Sequence, residues 1–232
     1  MPGTLPTYEA VLFDLFSALL DSEPVWNEVA GGAEAGESWR RECSRLAYSA
    51  GEYRPFAELV AEVVPPTRAE ALLRGLGEDL RPWPEAPEVL ARLRERVRIG
   101  VVTNCSEDLG QRAADRVGAP FDTIVTAEAA GAYKGRPEPY RLALERLAVE
   151  PSRALFVAGS PADIPGALSA GMDVCWHNRR HLPLGDHEPP LAEIPGQWFE
   201  QANAAAPSGL ARADHERAVP DVSPPELSLI HI

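Results

Sequence analysis

Lysine is the scarcest basic residue of this 232-residue sequence: it occurs once, at position 134, and the other Lys/Arg cations are all arginines. Basic residues are few overall, since 22 Lys and Arg stand against 35 Asp and Glu and give a formal net charge of −13. A nucleic-acid-binding protein normally presents a basic stripe, so this balance argues against that class. An anionic substrate would have to be drawn in by a few local cations against the overall field.

Cysteines are few, and long apolar runs are absent from the sequence. Cys43, Cys105 and Cys175 are widely spaced and form neither a metal-ligand pattern nor a disulfide framework, which predicts a reducing, cytoplasmic setting. No apolar run reaches the length that spans a bilayer, so no membrane association is expected. The first ten residues, MPGTLPTYEA, have neither the basic start nor the apolar core of a secretion signal.

Short apolar runs alternate with amphipathic helical segments along the middle of the chain. The runs predict strands over residues 10–16, 98–103, 121–126, 153–158 and 173–178. Helices are predicted over residues 86–96, 107–117, 138–148 and 161–170, where prolines and glycines mark several of the ends. This alternation predicts an α/β fold with a doubly wound, Rossmann-like parallel sheet.

About eighty residues separate the first two predicted strands, which is too long for a simple crossover. The amphipathic pieces SWRRECSRLAY and PFAELVAEVV predict an inserted helical subdomain there. We therefore assign 1–20 and 82–181 to the α/β core and 21–81 to the insertion. Residues 182–232, rich in Pro, Ala and Gly, are predicted to be a poorly structured tail whose last six residues, LSLIHI, are artefactual.

Polar residues follow several of the predicted strands, at the sheet edge where ligands bind in open α/β folds. Asp14 interrupts the apolar run VLFDLF, and an unpaired buried carboxylate is very costly. It is therefore either a nucleophile able to form a covalent ester or an N-cap or loop aspartate. Thr103 and Asn104 either donate hydrogen bonds to an anion or cap the next helix.

The remaining polar signals are Lys134 and the pair Ser160 and Asp163. A lone loop lysine is usually a solvated surface charge, but in AYKGRPEPY it would stabilise the charge of a neighbouring carboxylate. Ser160 and Asp163 have a sufficient local explanation as the N-cap and the acidic first turn of a helix. Each signal is weak alone, and their order along the chain carries the information.

In that order, Asp14, Thr103, Lys134 and Asp163 resemble the four motifs of the haloacid dehalogenase superfamily, over roughly residues 9–180. The resemblance implies that Asp14 is the covalent nucleophile and that the inserted helices are the family's cap domain. Phosphatases of this superfamily carry further aspartates at the positions of Phe16 and Gly159. Two carboxylates of a magnesium site are therefore absent, and no metal or cofactor is expected.

The L-2-haloacid dehalogenase branch is similar in these respects. It has an aromatic residue at the position of Phe16, a hydroxyl–Asn pair at the second motif, a tyrosine six residues after the lysine and a late CWxNR run, matched here by residues 175–179. The resemblance implies a hydrolase that dehalogenates a small 2-haloalkanoic acid through an aspartyl ester. Ala18 and Ala158 depart from the branch, because its hydroxyl residues are lost there.

The resemblance assigns roles residue by residue. The catalytic residues are Asp14, Lys134 and Asp163. The substrate-binding residues are Phe16, Thr103, Asn104, Ser160, Tyr140 and Arg40, with Arg41 as the rival of Arg40 for the halide.

Two other functions stay open: a Mg²⁺-dependent phosphatase acting on a small phosphate ester, and a non-catalytic relative that binds a small anion. The expected partner is a small anionic molecule, with no nucleic acid and no membrane. A homodimer is expected by analogy alone.

Overall fold

A five-stranded parallel sheet with the order β5-β4-β1-β6-β7 forms the centre of the protein. The computed structural model describes residues 8–179, so the predicted tail and its last six residues lie outside the described part. The strands are β1 (Ala10–Asp14), β2 (Leu20–Asp21), β3 (Arg81–Pro82), β4 (Arg98–Thr103), β5 (Thr123–Thr126), β6 (Ala154–Ala158) and β7 (Asp173–Trp176). The predicted α/β class and parallel sheet are confirmed.

Strand β1 lies in the middle of the sheet and is buried throughout. Successive side chains of a strand point to opposite faces, and Val11 and Phe13 accordingly join one apolar cluster while Ala10 and Leu12 join the other. A parallel sheet covered on both faces needs such a continuous apolar run. Asp14, the last residue of β1, pairs in register with Val102 of β4.

Helices cover both faces of the sheet. They are α1 (Glu23–Ala30), α2 (Ala33–Ser49), α3 (Phe56–Val63), α4 (Pro66–Glu78), α5 (Ala86–Arg94), α6 (Glu107–Asp115), α7 (Ala127–Ala130), α8 (Glu138–Leu147) and α9 (Ile164–Ser169). Helices α5 and α6 pack in the cluster of Val11 and Phe13, and α8 and α9 pack in that of Ala10 and Leu12. No helix between residues 8 and 179 is long and apolar enough to cross a bilayer.

Two predicted elements differ from their sequence prediction in type as well as in their bounds. The strand predicted over residues 10–16 stops at Asp14, because Leu15–Leu19 form a π-helical turn whose start is capped by the Asp14 carboxylate. The helix predicted over residues 161–170 begins as a 3₁₀ turn, Pro161–Asp163, before α9. Both differences lie just after the carboxyl end of a strand. There a side chain accepts a hydrogen bond from a nearby backbone N–H, and an irregular turn forms before the next regular element.

The inserted segment is helical, as predicted. Helices α1 to α4 pack on one another between the short antiparallel strands β2 and β3. Their buried side chains, among them Trp26, Ala47, Leu59 and Leu76, belong to the same apolar cluster as Val11 and Phe13 of the sheet. The cap is therefore closed against the carboxyl edge of β1.

The late CWHNR run contacts the chain where the cap joins the core. The Arg179 guanidinium forms an ion pair with Glu85 and lies 4.4 Å from the centre of the Trp83 ring. The Trp83 indole donates to the carbonyl of Ser17 at 3.0 Å. His177, 1% exposed, lies beside this group, and its Nε2 has no partner within the described chain.

The pH dependence of stability tests the burial of His177. Burial, and after it the charge of Arg179, lower the pKa of His177 from its ordinary value of 6.5 to about 4. Between these pH values the unfolded chain binds a proton that the folded chain does not, so the free energy of unfolding falls as the pH falls through the window. We expect His177→Leu to remove about 1–2 kcal/mol of that fall.

Urea denaturation at the two ends of the window measures this difference. Equal losses of stability in the wild type and the variant would show that His177 titrates normally in the folded protein.

Candidate active site

Asp14 is positioned by the turn that follows β1. Its Oδ2 accepts a hydrogen bond from the Ser17 backbone N–H at 2.9 Å, and its Oδ1 accepts one from Lys134 Nζ. The residue is only 4% exposed, yet it lines a cavity between core and cap. The carboxylate therefore has partners for its charge and still faces a space that a ligand can enter.

Lys134 connects two carboxylates. Its Nζ donates to Asp14 and, at 3.1 Å, to Asp163 Oδ2, while its backbone N–H donates to Asn104 Oδ1 at 2.6 Å. Burial lowers the pKa of Lys134, but the charges of Asp14 and Asp163 outweigh this and raise the pKa above its usual range. The ammonium therefore stays protonated between them.

Asp163 is fully buried. Besides Lys134, its carboxylate accepts a hydrogen bond from the Tyr48 hydroxyl, which donates to Oδ1 at 2.6 Å. Burial raises the pKa of Asp163 to about 6, against the opposing effect of Lys134. Asp163 is thus a carboxylate that accepts a proton near neutral pH, as a general base must.

The cavity measures about 180 Å³ and is lined from both sides. The core contributes Asp14, Phe16, Ser17, Asn104, Lys134, Gly159 and Ser160, and helix α2 of the cap contributes Glu37, Arg40, Arg41, Ser44 and Tyr48. Of the predicted site residues, Asp14, Phe16, Asn104, Lys134, Ser160 and Arg40 are therefore brought together around one space.

Arg40 and its rival Arg41 both reach the cavity. The Arg40 guanidinium is held by Glu37, with Nη2 at 2.8 Å from Oε1 and Nε at 3.1 Å from Oε2. This pairing fixes the position of the Arg40 guanidinium beside the cavity, while the Glu37 carboxylate offsets its charge. The structure therefore brings both candidates for the halide site to the cavity.

Thr103 and Tyr140 lie behind the cavity and not on its wall, as far as the described residues go. The Thr103 hydroxyl is buried against Cys105, with 3.7 Å between Oγ1 and Sγ. The Tyr140 hydroxyl donates to the backbone carbonyl of Asp163 at 3.0 Å. Both residues support their neighbours here, and their predicted role in binding the substrate stays a prediction.

Position 159 decides whether the residues fit a magnesium ion. A Cβ on Gly159 would lie 2.6 Å from Asp14 Oδ2, 2.5 Å from Ser17 Cβ and 2.6 Å from the Ala18 backbone nitrogen. An aspartate therefore cannot stand there without moving the Asp14 turn. Position 16 carries a phenyl ring, and the two nearby carboxylates share the Lys134 ammonium. These residues do not fit the oxygen shell that Mg²⁺ requires.

Sequence reasoning missed Tyr48. Glu37, Arg41, Ser44 and Tyr48 follow one another at steps of four, three and four residues, which is the spacing of one helix face. All four line the cavity. A polar stripe on a cap helix was the signal that could have found them.

Comparisons with known proteins point to one family of hydrolases. The family described as haloacid dehalogenase-like hydrolase matches residues 8–171. Haloacetate dehalogenase H-2 of Moraxella sp. (strain B) is 29% identical over 192 residues, covering 74% of this chain and 86% of that protein. A pyrimidine 5'-nucleotidase of Escherichia coli (strain K12) is 29% identical over 179 residues, covering 75% and 74%.

The L-2-haloacid dehalogenase of Xanthobacter autotrophicus has a similar fold, with a TM-score of 0.68 at 23% identity over 75% of this chain and 78% of that one. The fold and the matched family define a hydrolase of the α/β class with a helical cap. The chain belongs to the haloacid dehalogenase-like hydrolases.

The close packing at Gly159 is testable by its effect on stability. We expect Gly159→Ala to lower the free energy of unfolding by about 1–3 kcal/mol, because the new methyl group would overlap Asp14 and the turn after it. Gly32→Ala is the matched control: its backbone is extended, with φ 163°, and no atom lies within 4 Å of the new Cβ.

Urea denaturation of both variants provides the measurement, and the control should lose no more than about 1 kcal/mol, because Gly32 is the N-cap of α2 and alanine is less favourable there. Equal stabilities for the two variants would mean that position 159 tolerates a side chain.

Proposed function

We propose that this hydrolase removes the halogen from a short 2-haloalkanoic acid without a metal ion, through an ester on Asp14. The observation that carries the proposal is the Asp14 carboxylate facing a small cavity beside Lys134, with Gly159 packed too closely for another carboxylate. The similarity to a haloacetate dehalogenase supports it.

The size of the cavity favours a small substrate. Pockets for drug-sized ligands measure roughly 300–1,000 Å³, whereas this one is about 180 Å³. A haloacid of a few heavy atoms fits such a volume, and a nucleotide does not. The charge also suits an acid, because three cations, Arg40, Arg41 and Lys134, line the space against two carboxylates, those of Asp14 and Glu37.

The substrate carboxylate has a donor in Asn104. The Oδ1 of Asn104 already accepts from the Lys134 N–H, so its amide N–H₂ group is the part left to face a ligand. Asn104 is therefore the member of the predicted Thr103–Asn104 pair that binds the substrate. Arg40 or Arg41 then stabilises the departing halide from the cap side.

In the first step an Asp14 oxygen attacks the carbon that carries the halogen. A carbon–oxygen bond forms, and the carbon–halogen bond breaks with its electron pair leaving on the halide. Ser17 N–H and Lys134 hold the carboxylate in place, and holding both reactants in attack geometry supplies much of the rate.

In the second step water adds to the carbonyl carbon of the Asp14 ester and gives a proton towards Asp163. The bond between that carbon and the alkoxide oxygen breaks, and the alkoxide takes the proton to leave as a 2-hydroxy acid. Asp14 regains its carboxyl group, whose proton goes to solvent. The sum is haloacid plus water giving hydroxy acid, halide and a proton.

A phosphatase is the second candidate, since a nucleotidase is among the similar proteins. Halide release from (S)-2-chloropropionate separates the two functions. We expect release that EDTA leaves unchanged, because no step uses a metal, and no hydrolysis of a generic phosphate ester with added Mg²⁺. An activity that requires Mg²⁺ and acts on the phosphate ester would overturn the proposal.

Oxygen labelling tests the ester. Because water attacks the carbonyl carbon of Asp14, one turnover in H₂¹⁸O should place the label in the Asp14 carboxyl group and leave the first product unlabelled. Peptide mass spectrometry locates the label. Asp14→Asn should lose halide release by at least about 100-fold; label found first in the product would instead indicate direct attack of water on the substrate.

The same variant tests the non-catalytic alternative. A protein that only binds a small anion would release no halide in either form, and Asp14→Asn would keep its ligand.

A further inference from the structure

Among the described residues, Asp163 is not one that lines the cavity. Within residues 8–179 it is fully buried, and its two carboxylate oxygens are taken by Tyr48 and Lys134. These two partners do line the cavity. A water molecule in the cavity therefore meets Asp163 only through the Lys134 ammonium or the Tyr48 hydroxyl.

Of the two, only the hydroxyl can pass on a proton from water. The Lys134 ammonium is a donor without a lone pair, and the charges of Asp14 and Asp163 keep it protonated. The Tyr48 hydroxyl donates its one hydrogen to Asp163 Oδ1 at 2.6 Å and keeps two lone pairs with which to accept from water.

The Tyr48 ring is fitted to this position by the lysine loop. A Cβ on Gly135, the residue after Lys134, would lie 2.8 Å from Tyr48 Cδ1 and 3.2 Å from Cε1. Gly135 also has φ +94°, which favours glycine. The absence of a side chain there lets a tyrosine from the cap reach across the loop to a carboxylate of the core.

We propose that Tyr48 is a catalytic residue that relays the proton between the hydrolytic water and Asp163, a role that rests on the function proposed above. As water oxygen bonds to the ester carbonyl carbon, a water proton moves to Tyr48 Oη and the phenolic proton moves to Asp163 Oδ1. The transfer runs in reverse when the alkoxide departs. The phenol is neutral before and after, and no electrons are exchanged with a further reactant.

The charges around the relay agree with this direction. Burial, followed by the charge of Asp163, raises the pKa of Tyr48 well above its ordinary value, so the hydroxyl is protonated at the start. Asp163 faces Lys134, Tyr48 and Asp14, while the Tyr140 hydroxyl bonds to its backbone carbonyl. Burial raises the pKa of Asp163 to about 6, so it is ionised and able to accept above that pH.

The relay acts only in the second step, which gives it a specific kinetic signature. Tyr48→Phe keeps the ring and removes the hydroxyl. We expect a burst of one halide per enzyme from (S)-2-chloropropionate, and then a steady rate reduced at least about 100-fold, because general acid–base catalysis is lost. Intact-mass spectrometry should show the 1-carboxyethyl group of the substrate accumulating on the enzyme as the Asp14 ester.

Two comparisons sharpen the test. Tyr8→Phe removes a hydroxyl that donates to Asp173 at 2.9 Å, at the opposite end of the sheet, and should keep the wild-type steady rate. Asp163→Asn should show the same burst and stall as Tyr48→Phe, and the double variant should be no slower than either, since both residues act in one transfer.

The outcomes separate this proposal from the one it rests on. A wild type without halide release refutes the dehalogenase function and the relay with it. A wild type that turns over while Tyr48→Phe keeps its steady rate, or loses the burst as well, refutes the relay alone. Incorporating 3-fluorotyrosine at position 48, which restores a hydroxyl, should restore turnover, and failure to do so would count against the relay.

Discussion

The ammonium group of Lys134, shared by two buried carboxylates, is the interaction on which the rest of the site depends. Two carboxylates without a counter-ion would repel each other and carry a large desolvation cost in this environment. The single cation stabilises Asp14 and Asp163 together, while the backbone of the same residue is fixed by Asn104. One residue, through its side chain and its backbone, thus links the ends of β1, β4 and β6.

Close packing then gives the two carboxylates different roles. Asp14 begins a turn that packs against Gly159 so closely that position 159 has no room for a side chain. The Asp14 carboxylate faces the cavity. Asp163 is fully buried and holds its proton to about pH 6. Exposure to the cavity suits an attacking oxygen, and burial suits a proton acceptor. The cap contributes to both, through the arginines of α2 and through Tyr48.

Much of this arrangement could be predicted from local patterns. An apolar run interrupted by Asp14 and another that ends on Thr103 predict buried parallel strands with polar ends, and those ends meet at one edge of a sheet. Order along the chain then pointed to Lys134 and Asp163. The exact end of β1 could not be read in the same way, because the π-helical turn after it depends on a carboxylate bonding to the Ser17 N–H. The positions of the Thr103 and Tyr140 side chains could not be predicted either, because residue type does not reveal whether a side chain lines the cavity or is buried behind it.

The sequence by itself therefore determined the α/β class and the helical insertion, because strand and helix periodicity are properties of neighbouring residues. Its resemblance to a known family is what singled out Asp14, Lys134 and Asp163. Only the tertiary structure decided that Tyr48 reaches Asp163 across 115 positions of chain and that Gly159 excludes a side chain beside Asp14. The first contact arises when the cap packs on the core and the second when the turn after β1 packs against the end of β6, and no local pattern specifies either approach.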